Sequence, residues 1–337
     1  MKEKINQKNI FVTGCAGFIG FHICKALIKR GDMVVGVDNL NHYYDIKLKK
    51  NRLKELTIIS KKSKSSFIFK KTDITNKKEL SKIFKRFKFD RVIHLAAQAG
   101  VRYSLKNPDT YIKTNQMGFF NVIDLTKNHK IPHILYASSS SVYGENKKTP
   151  YKETDNTDHP KQIYAATKKS NEILAYSYSS LYNLKTTGLR YFTVYGPWGR
   201  PDMALFKFTK NILENKKLEV FNNGKHLRDF TYIDDVVNLT LLASDNISNF
   251  KKHKTLSRIF NVGNNSPISL QKFIKIIEKT LEVKSKQKNF PLQKGDMIST
   301  YSDSSKVFKK FSYSIKTNHQ QNVLEFVNWY KNYYLKK

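Results

Sequence analysis

The sequence predicts an α/β protein in which a doubly wound parallel sheet is followed by a smaller mixed α/β lobe. Three observations carry that reading. Short apolar runs alternate with stretches of helical periodicity over the first half of the chain. A glycine-rich turn joins the first such run to the first helix. After Gly196 the alternation loosens into shorter, turn-rich elements. Continuous apolar strands separated by helices imply parallel strands covered on both faces.

The elements follow in order. Residues 10–13 form a short apolar strand, 18–29 place apolar side chains at helical spacing, and 33–38 (MVVGVD) form a second buried strand. Strands follow at 67–70, 91–95 and 134–137, separated by helices at 77–87 and 111–126. A long helix is expected from Tyr164 to about Tyr182, then a strand over 186–191. Beyond the turn-rich GPWGRPD, helices are expected at 204–214, 233–243 and 270–281, with strands at 218–221 and 259–262. The expected division is a cofactor domain over 1–195 and a substrate lobe over 196–337, interleaved with the last sheet strands.

Composition excludes several classes. The chain of 337 residues carries 61 Lys+Arg against 27 Asp+Glu, a net charge of +34 that first suggests nucleic acid or an anionic membrane. The basic residues are dispersed, however, as lysine doublets along the whole chain. Even the densest stretch, 47–88, holds its sixteen basic residues without zinc-ligand spacing or an RNA-binding signature. Dispersed lysine reads as solvated surface. There is no apolar run of membrane-spanning length, and the polar start of the chain lacks the apolar core of a secretion signal. Cys15 and Cys24 are the only cysteines and suggest neither a disulfide framework nor a metal site. The expectation is a cytoplasmic protein with no metal, nucleic acid or membrane among its partners.

The turn after the first strand reads Gly14-Cys15-Ala16-Gly17-Phe18-Ile19-Gly20. Glycines let the backbone approach a pyrophosphate, and the helix that follows offers N–H donors and the positive end of its dipole. A glycine triplet alone is a weak signal, since glycines also serve tight turns. Here Asp38 closes the second strand, 18 residues past Gly20, where an acid accepts the adenosine ribose hydroxyls and repels a 2′-phosphate. That context is Rossmann-type and points to NAD.

Tyr164 and Lys168 stand four apart, on one face of a helix. A phenol titrates near 10 and becomes a base at neutral pH only when a neighbouring cation stabilises its phenolate. The run Ser138-Ser139-Ser140-Ser141 leaves the strand at 134–137, at the carboxyl edge where such sheets bind ligands. Taken alone, the Tyr–Lys pair is usually structural, and the serine run is better read as a serine-rich loop or helix cap. His94 is expected to be a satisfied core histidine, and Trp198 chiefly a packing residue.

Together these motifs resemble the extended short-chain dehydrogenase/reductases. The stretches DNLNHYYDIKLKKNRL, HLAAQAGVRYSLKNP, YASSSSVYG, YAATKKSNE, TTGLRYFTVYGPWGRPDMALFKFTK, RDFTYIDDVV and QKGD are similar to those of UDP-glucuronate 4-epimerases. The resemblance implies an NAD-dependent C4 epimerisation of UDP-glucuronate to UDP-galacturonate through an enzyme-bound 4-keto sugar, for surface polysaccharide precursors. It implies Tyr164 as base, Lys168 as its pKa-lowering partner and Ser139 as the hydroxyl on the sugar C4 oxygen. Cofactor contacts are implied at Gly14, Gly17, Phe18, Ile19, Gly20, Asp38, Asn39, Asp73, Ile74, Leu95, Ala96, Ala97 and Tyr191. Substrate contacts are implied at Ser140, Ser141, Thr193, Arg200, Arg228 and Asp296. Arg102 reaches the substrate side by family position, or serves in a salt bridge. Gln293 stands where UDP-galactose epimerases have an arginine, and Lys294 replaces a more usual proline. The resemblance further implies a homodimer formed through the helices near 111–126 and 164–182. Decarboxylation of UDP-glucuronate, or dehydration of a nucleotide sugar, would begin with the same oxidation. A dehydratase would be expected to show Asp-Glu where this chain has Ser140-Ser141.

Overall fold

A computed structural model describes residues 7–63, 65–248, 250, 256–292 and 297–335. The chain forms two compact units. The first comprises Met1–Glu145, Thr157–Arg190 and Val237–Phe260; the second comprises Asn146–Asn156, Tyr191–Val236 and Asn261–Lys337. They alternate along the chain, so neither is one continuous stretch.

The first unit opens with β1 (Asn9–Thr13), α1 (Phe18–Arg30), β2 (Met33–Asp38), α2 (Ile46–Lys62), β3 (Phe67–Lys71), α3 (Lys77–Arg86) and β4 (Arg91–His94). It continues with α4 (Val101–Lys106), α5 (Pro108–Tyr111), α6 (Gly118–Asn128), β5 (His133–Ser139), α7 (Ile163–Tyr182) and β6 (Lys185–Tyr191). The central sheet has seven strands, ordered β3-β2-β1-β4-β5-β6 and then the strand Ser257–Val262. The pairings of β1 with both β2 and β4 are parallel, as are β2 with β3 and β4 with β5. Chain direction across the sheet therefore reverses beside β1, and the carboxyl ends of β1 and β4 border the crevice where doubly wound sheets bind ligands. The apolar strands account for this order. Phe11, Val35, Val92 and Ile134 are wholly buried, packed with Phe84 and Phe119 from the covering helices.

Helix ends follow local chemistry. α1 stops where Gly31 adopts φ 100°, its N–H returning to the carbonyls of Leu27 and Ile28. The helix α2 lies in the lysine-rich stretch, where sequence reasoning predicts none. Asp45 caps it by accepting from Lys47 N, and Leu48, Arg52 and Leu56 are buried at four-residue spacing. The expected helix over 111–126 is interrupted, because residues Ile112–Met117 widen into a π turn. Asn115 in that turn is buried. It accepts from Gln98 N (2.8 Å) and donates to Gln98 O and to Thr167 Oγ1 (3.0 Å each). A widened turn presenting a fixed polar side chain is a feature enriched at functional sites.

The second unit is built of short pairings, as expected. Thr193–Tyr195 runs parallel to Phe230–Tyr232, and Leu218–Phe221 runs parallel to Gln287–Phe290. Leu227–Arg228 pairs with both Ile268–Ser269 and Ser299–Thr300. Phe230 stacks on Phe273 of the helix Leu270–Leu281 at 4.0 Å between centroids. The helix His319–Tyr330 was not expected. It holds Trp329 against Trp198 (5.4 Å), so Trp198 is a packing residue.

Candidate active site

The glycine turn is packed to its steric limit. A Cβ on Gly20 would lie 2.0 Å from the carbonyl oxygen of Gly14, and one on Gly14, at φ +72°, would lie 2.7 Å from Ala96 N. The N–H groups of Gly14 and Cys15 both donate to Val37 O, at 2.8 and 3.2 Å, which fixes the turn to the end of β2. Bare backbone is therefore what α1 presents at its N-terminus, with Phe18 buried and Ile19 partly exposed behind it. Leu95, Ala96 and Ala97 leave β4 partly exposed beside the turn.

Asp38 closes β2. Its carboxylate accepts from Leu40 N (2.8 Å) and Ala16 N (3.2 Å), and each oxygen retains a lone pair for a further donor. Burial raises its pKa, opposed by those two amides and by the charges of Lys49 and Arg52. Arg52 is buried beneath the turn and donates to Ala16 O (2.8 Å) and to the Tyr44 hydroxyl (2.7 Å). Asn39 donates to Asp73 (2.7 Å). Although partly desolvated, Asp73 lies below the usual carboxylate range because Asn39 and Thr75 donate to it. Ile74 is buried against Gly118, where a Cβ would come within 2.5 Å of its Cδ1.

Tyr164 lies in the first turn of α7, where the positive end of the helix dipole favours a phenolate. Its ring meets that of Tyr111 edge-on at 6.1 Å. One turn later Lys168 is buried, and its Nζ donates to Ala137 O at 2.7 Å. Burial lowers its pKa to about 8. That bond ties α7 to the end of β5, which delivers Ser139. The Ser139 hydroxyl accepts from Ser141 N (3.2 Å) and donates to Ser141 Oγ (3.1 Å), capping the short turn Ser140–Tyr143. Arg102 is exposed on α4.

His94 is only half satisfied. Its Nδ1 is 2.9 Å from Thr13 Oγ1, while the buried Nε2 has no hydrogen-bond partner among the described residues. Burial, aided by the charge of Lys168, lowers its pKa to about 3, so the ring is neutral. Thr13 Oγ1 also accepts from Leu95 N and Ala96 N, both at 3.1 Å.

In the second unit, Arg228 donates to the carbonyls of Leu227 (2.9 Å), Ile298 (3.1 Å) and Met297 (2.7 Å). Arg200 grips Asp202 through Nε (3.0 Å) and Nη2 (2.5 Å). Thr193 is partly exposed and its N–H donates to Asp229 O (3.2 Å); Tyr191 is buried at the end of β6. Gln293, Lys294 and Asp296 lie outside the described residues. Sequence reasoning misses Thr13, at the end of an apolar strand, and Asn115 and Glu172, each among other polar residues of a helical stretch.

The first unit thus combines a tight glycine turn at a helix N-terminus, an acid at the end of β2, and a tyrosine–lysine helix face bonded through Ala137 O to the strand end that carries Ser139. That is the equipment of an enzyme acting on a carbinol carbon with a dinucleotide. The model of the NAD dependent epimerase/dehydratase family matches residues 10–263. The chain belongs to that family.

Protein CapI of Staphylococcus aureus is 46% identical over 338 residues, covering 97% of this chain and 99% of that protein. UDP-glucuronate 4-epimerase 4 of Arabidopsis thaliana is 43% identical over 340 residues, covering 98% of this chain and 76% of that protein. Among solved structures, UDP-glucuronic acid 4-epimerase from Bacillus cereus, in complex with UDP-glucuronic acid and NAD, matches with a TM-score of 0.86 at 33% identity. That match covers 97% of this chain and all (100%) of that one.

Proposed function

We propose that this chain is an NAD-dependent UDP-glucuronate 4-epimerase that interconverts UDP-glucuronate and UDP-galacturonate and supplies precursors of surface polysaccharide. One observation carries the reading: buried Lys168, one turn from Tyr164, is bonded to the strand end bearing Ser139, in a chain similar to UDP-glucuronate epimerases along nearly its whole length. Incubation with UDP-glucuronate and NMR of the product tests it. UDP-galacturonate is the expected product, and UDP-pentose alone or unchanged substrate refutes it.

The turn suits a dinucleotide because it brings bare backbone to the N-terminus of α1, with no room for a Cβ on Gly20 against Gly14 O. Gly14, Gly17 and Gly20 would admit the pyrophosphate, and Asp38 the adenosine ribose. Asn39, Asp73 and Ile74 would meet the adenine end, and Leu95–Ala97 with Tyr191 would line the remainder. Gly20→Ala is expected to abolish retention of NAD through gel filtration, because backbone must move to admit the methyl group. Unchanged NAD content in that variant would show that the turn does not hold the dinucleotide.

NAD, when bound, would supply the hydride acceptor and donor for the sugar C4. The chain's residues manage the proton and the sugar. Tyr164 takes the proton of the C4 hydroxyl as phenolate, held in that state by the Lys168 ammonium and by the first turn of α7. Ser139 hydrogen-bonds the C4 oxygen and steadies it as it becomes a carbonyl. When the carbonyl is reduced, Tyr164 returns the proton.

A 4-keto uronate is a β-keto acid, which loses CO₂ when its carboxylate stands perpendicular to the ketone plane. Thr193 and Arg200, with Ser140 and Ser141, would hold the carboxylate nearer that plane. Arg228 would bind the pyrophosphate, with Asp296 and Arg102 completing the substrate contacts. Asp202 keeps the Arg200 guanidinium in one orientation. Arg200→Ala is expected to raise the fraction of UDP-pentose by-product several-fold by NMR; an unchanged product ratio would exclude this role.

We also infer a homodimer. Met117 and Phe120 at the start of α6, and Ile173, Tyr176 and Leu181 on α7, are exposed apolar side chains on two neighbouring helices. A second copy of the same helix pair would cover them. Ile173→Glu is expected to yield a monomer by light scattering, and a monomeric parent protein would remove the inference. The cytoplasm is the compartment that goes with this reading, supported by two free, buried cysteines and by the absence, among the described residues, of a helix long and apolar enough to cross a membrane.

A further inference from the structure

The mechanism above leaves one buried charged cluster unused. Glu172 lies on α7 one turn beyond Lys168, with its side chain and that of Arg190 on β6 each 3% exposed. Glu172 Oε1 accepts from Ser138 Oγ (2.6 Å) and from Arg190 Nε (2.8 Å), and Oε2 accepts from Arg190 Nη2 (2.7 Å). The Arg190 guanidinium also lies over the ring of Tyr143, at 4.9 Å. We propose that Glu172 is a positioning residue for the reaction, its carboxylate fixing the strand end that delivers Ser139 against the helix that carries Tyr164 and Lys168.

The geometry is specific. Ala137 O is held by Lys168 and Ser138 Oγ by Glu172, so two successive residues of β5 are fastened to two side chains four apart on α7. Tyr143, at the far end of the serine turn, packs on the guanidinium that Glu172 holds. Ser139, Ser140 and Ser141 are therefore bracketed on both sides by one buried ion pair. Sheet stability alone does not call for such a pair, since burying two charges costs about as much as their attraction returns. What it adds is direction. The Ser138 hydroxyl has a single proton, and donating it to Glu172 sets the rotation of the residue before Ser139. A displacement of about 1 Å at a reacting group can cost on the order of 10²-fold in rate.

The proposal rests on the epimerase reading, and its test separates the two. Ser138→Ala removes the strand's bond to Glu172 and leaves the Arg190–Glu172 pair in place. With UDP-glucuronate as substrate, kcat is expected to fall about tenfold or more. KM and bound NAD should stay near the parent values at an assay temperature well below unfolding, the unfolding midpoint falling by no more than the loss of one buried bond to a carboxylate implies, and Ser138→Thr, which keeps the hydroxyl, should recover most of the rate. The primary isotope effect with UDP-glucuronate deuterated at C4 should rise, because misplacing Ser139 slows the C–H step; a purely structural role would not move it. An unchanged kcat and isotope effect in Ser138→Ala overturns the proposal, as does a rate loss matched by loss of NAD or by the fraction of protein unfolded at the assay temperature. If the parent protein does not epimerise UDP-glucuronate, the epimerase reading itself has failed.

Discussion

Tyr164→Phe is expected to lower turnover of UDP-glucuronate by ~10²–10⁴-fold, the range attributed to a positioned acid–base group. The change removes one oxygen and keeps the ring, so the edge contact with Tyr111 at 6.1 Å remains and α7 keeps its first turn. Folding and NAD content should therefore be unaffected. Without the phenol nothing at this position can take the C4 hydroxyl proton, and both half-reactions lose the same group. The loss should consequently appear in kcat in both directions of the reaction. Near-parental turnover in this variant would remove Tyr164 from the role of base.

Lys168→Met should cost a comparable factor at neutral pH, with a further signature in the pH profile. On the proposed roles the Lys168 ammonium favours the phenolate form of Tyr164, so its removal makes that form scarcer at neutral pH. Residual activity of the variant should keep rising with pH to 10, while that of the parent levels off near 8, where Lys168 itself begins to lose its proton. Parallel profiles for the two proteins would contradict the account. Holding Lys168 charged is costly. Burial lowers its pKa from 10.5 to about 8, which corresponds to about 3 kcal/mol against the folded state at neutral pH. The unfolded chain binds more protons between those two values, so this residue adds stability as pH rises through that window and none is gained below it. A single bond to Ala137 O is small return for that cost. The proposed role beside Tyr164 would account for the residue.

Much of this was legible in the sequence because it depends on local chemistry. The glycine turn needs φ or closeness that a side chain forbids, as the 2.0 Å approach at Gly20 shows, so its residue types are dictated on the spot. Tyr164 and Lys168 are one helical turn apart in any helix. The apolar strands β1, β2, β4 and β5 are buried on both faces and read as continuous apolar runs. Other features depend on partners distant in sequence. Glu172 gains meaning only through Ser138 and Arg190, and Asn115 through Gln98 and Thr167. The helix α2 was hidden because its buried face includes Lys49 and Arg52, whose charges are met by Asn41, Tyr44 and Ala16 O rather than by solvent. The π turn at Ile112–Met117 (IKTNQM) contains neither glycine nor proline to mark it in the sequence.

The high positive charge has separated into two populations. Most lysines are on exposed surface, while Lys49, Arg52, Arg91, Lys168 and Arg190 are buried. Of these, Lys168 carries the proposed chemistry and Arg190 supports the serine strand. Neither would be distinguished by counting charges.

In the proposed reaction hydride leaves C4 of the sugar and returns to the same carbon of the same molecule. The direct measurement is to convert UDP-glucuronate deuterated at C4 in ordinary water and determine the isotope at C4 of the product by mass spectrometry and NMR. UDP-galacturonate that retains the deuterium at C4 is expected, with no accumulation of free NADH. Product carrying hydrogen from solvent at C4 would contradict the proposed reaction.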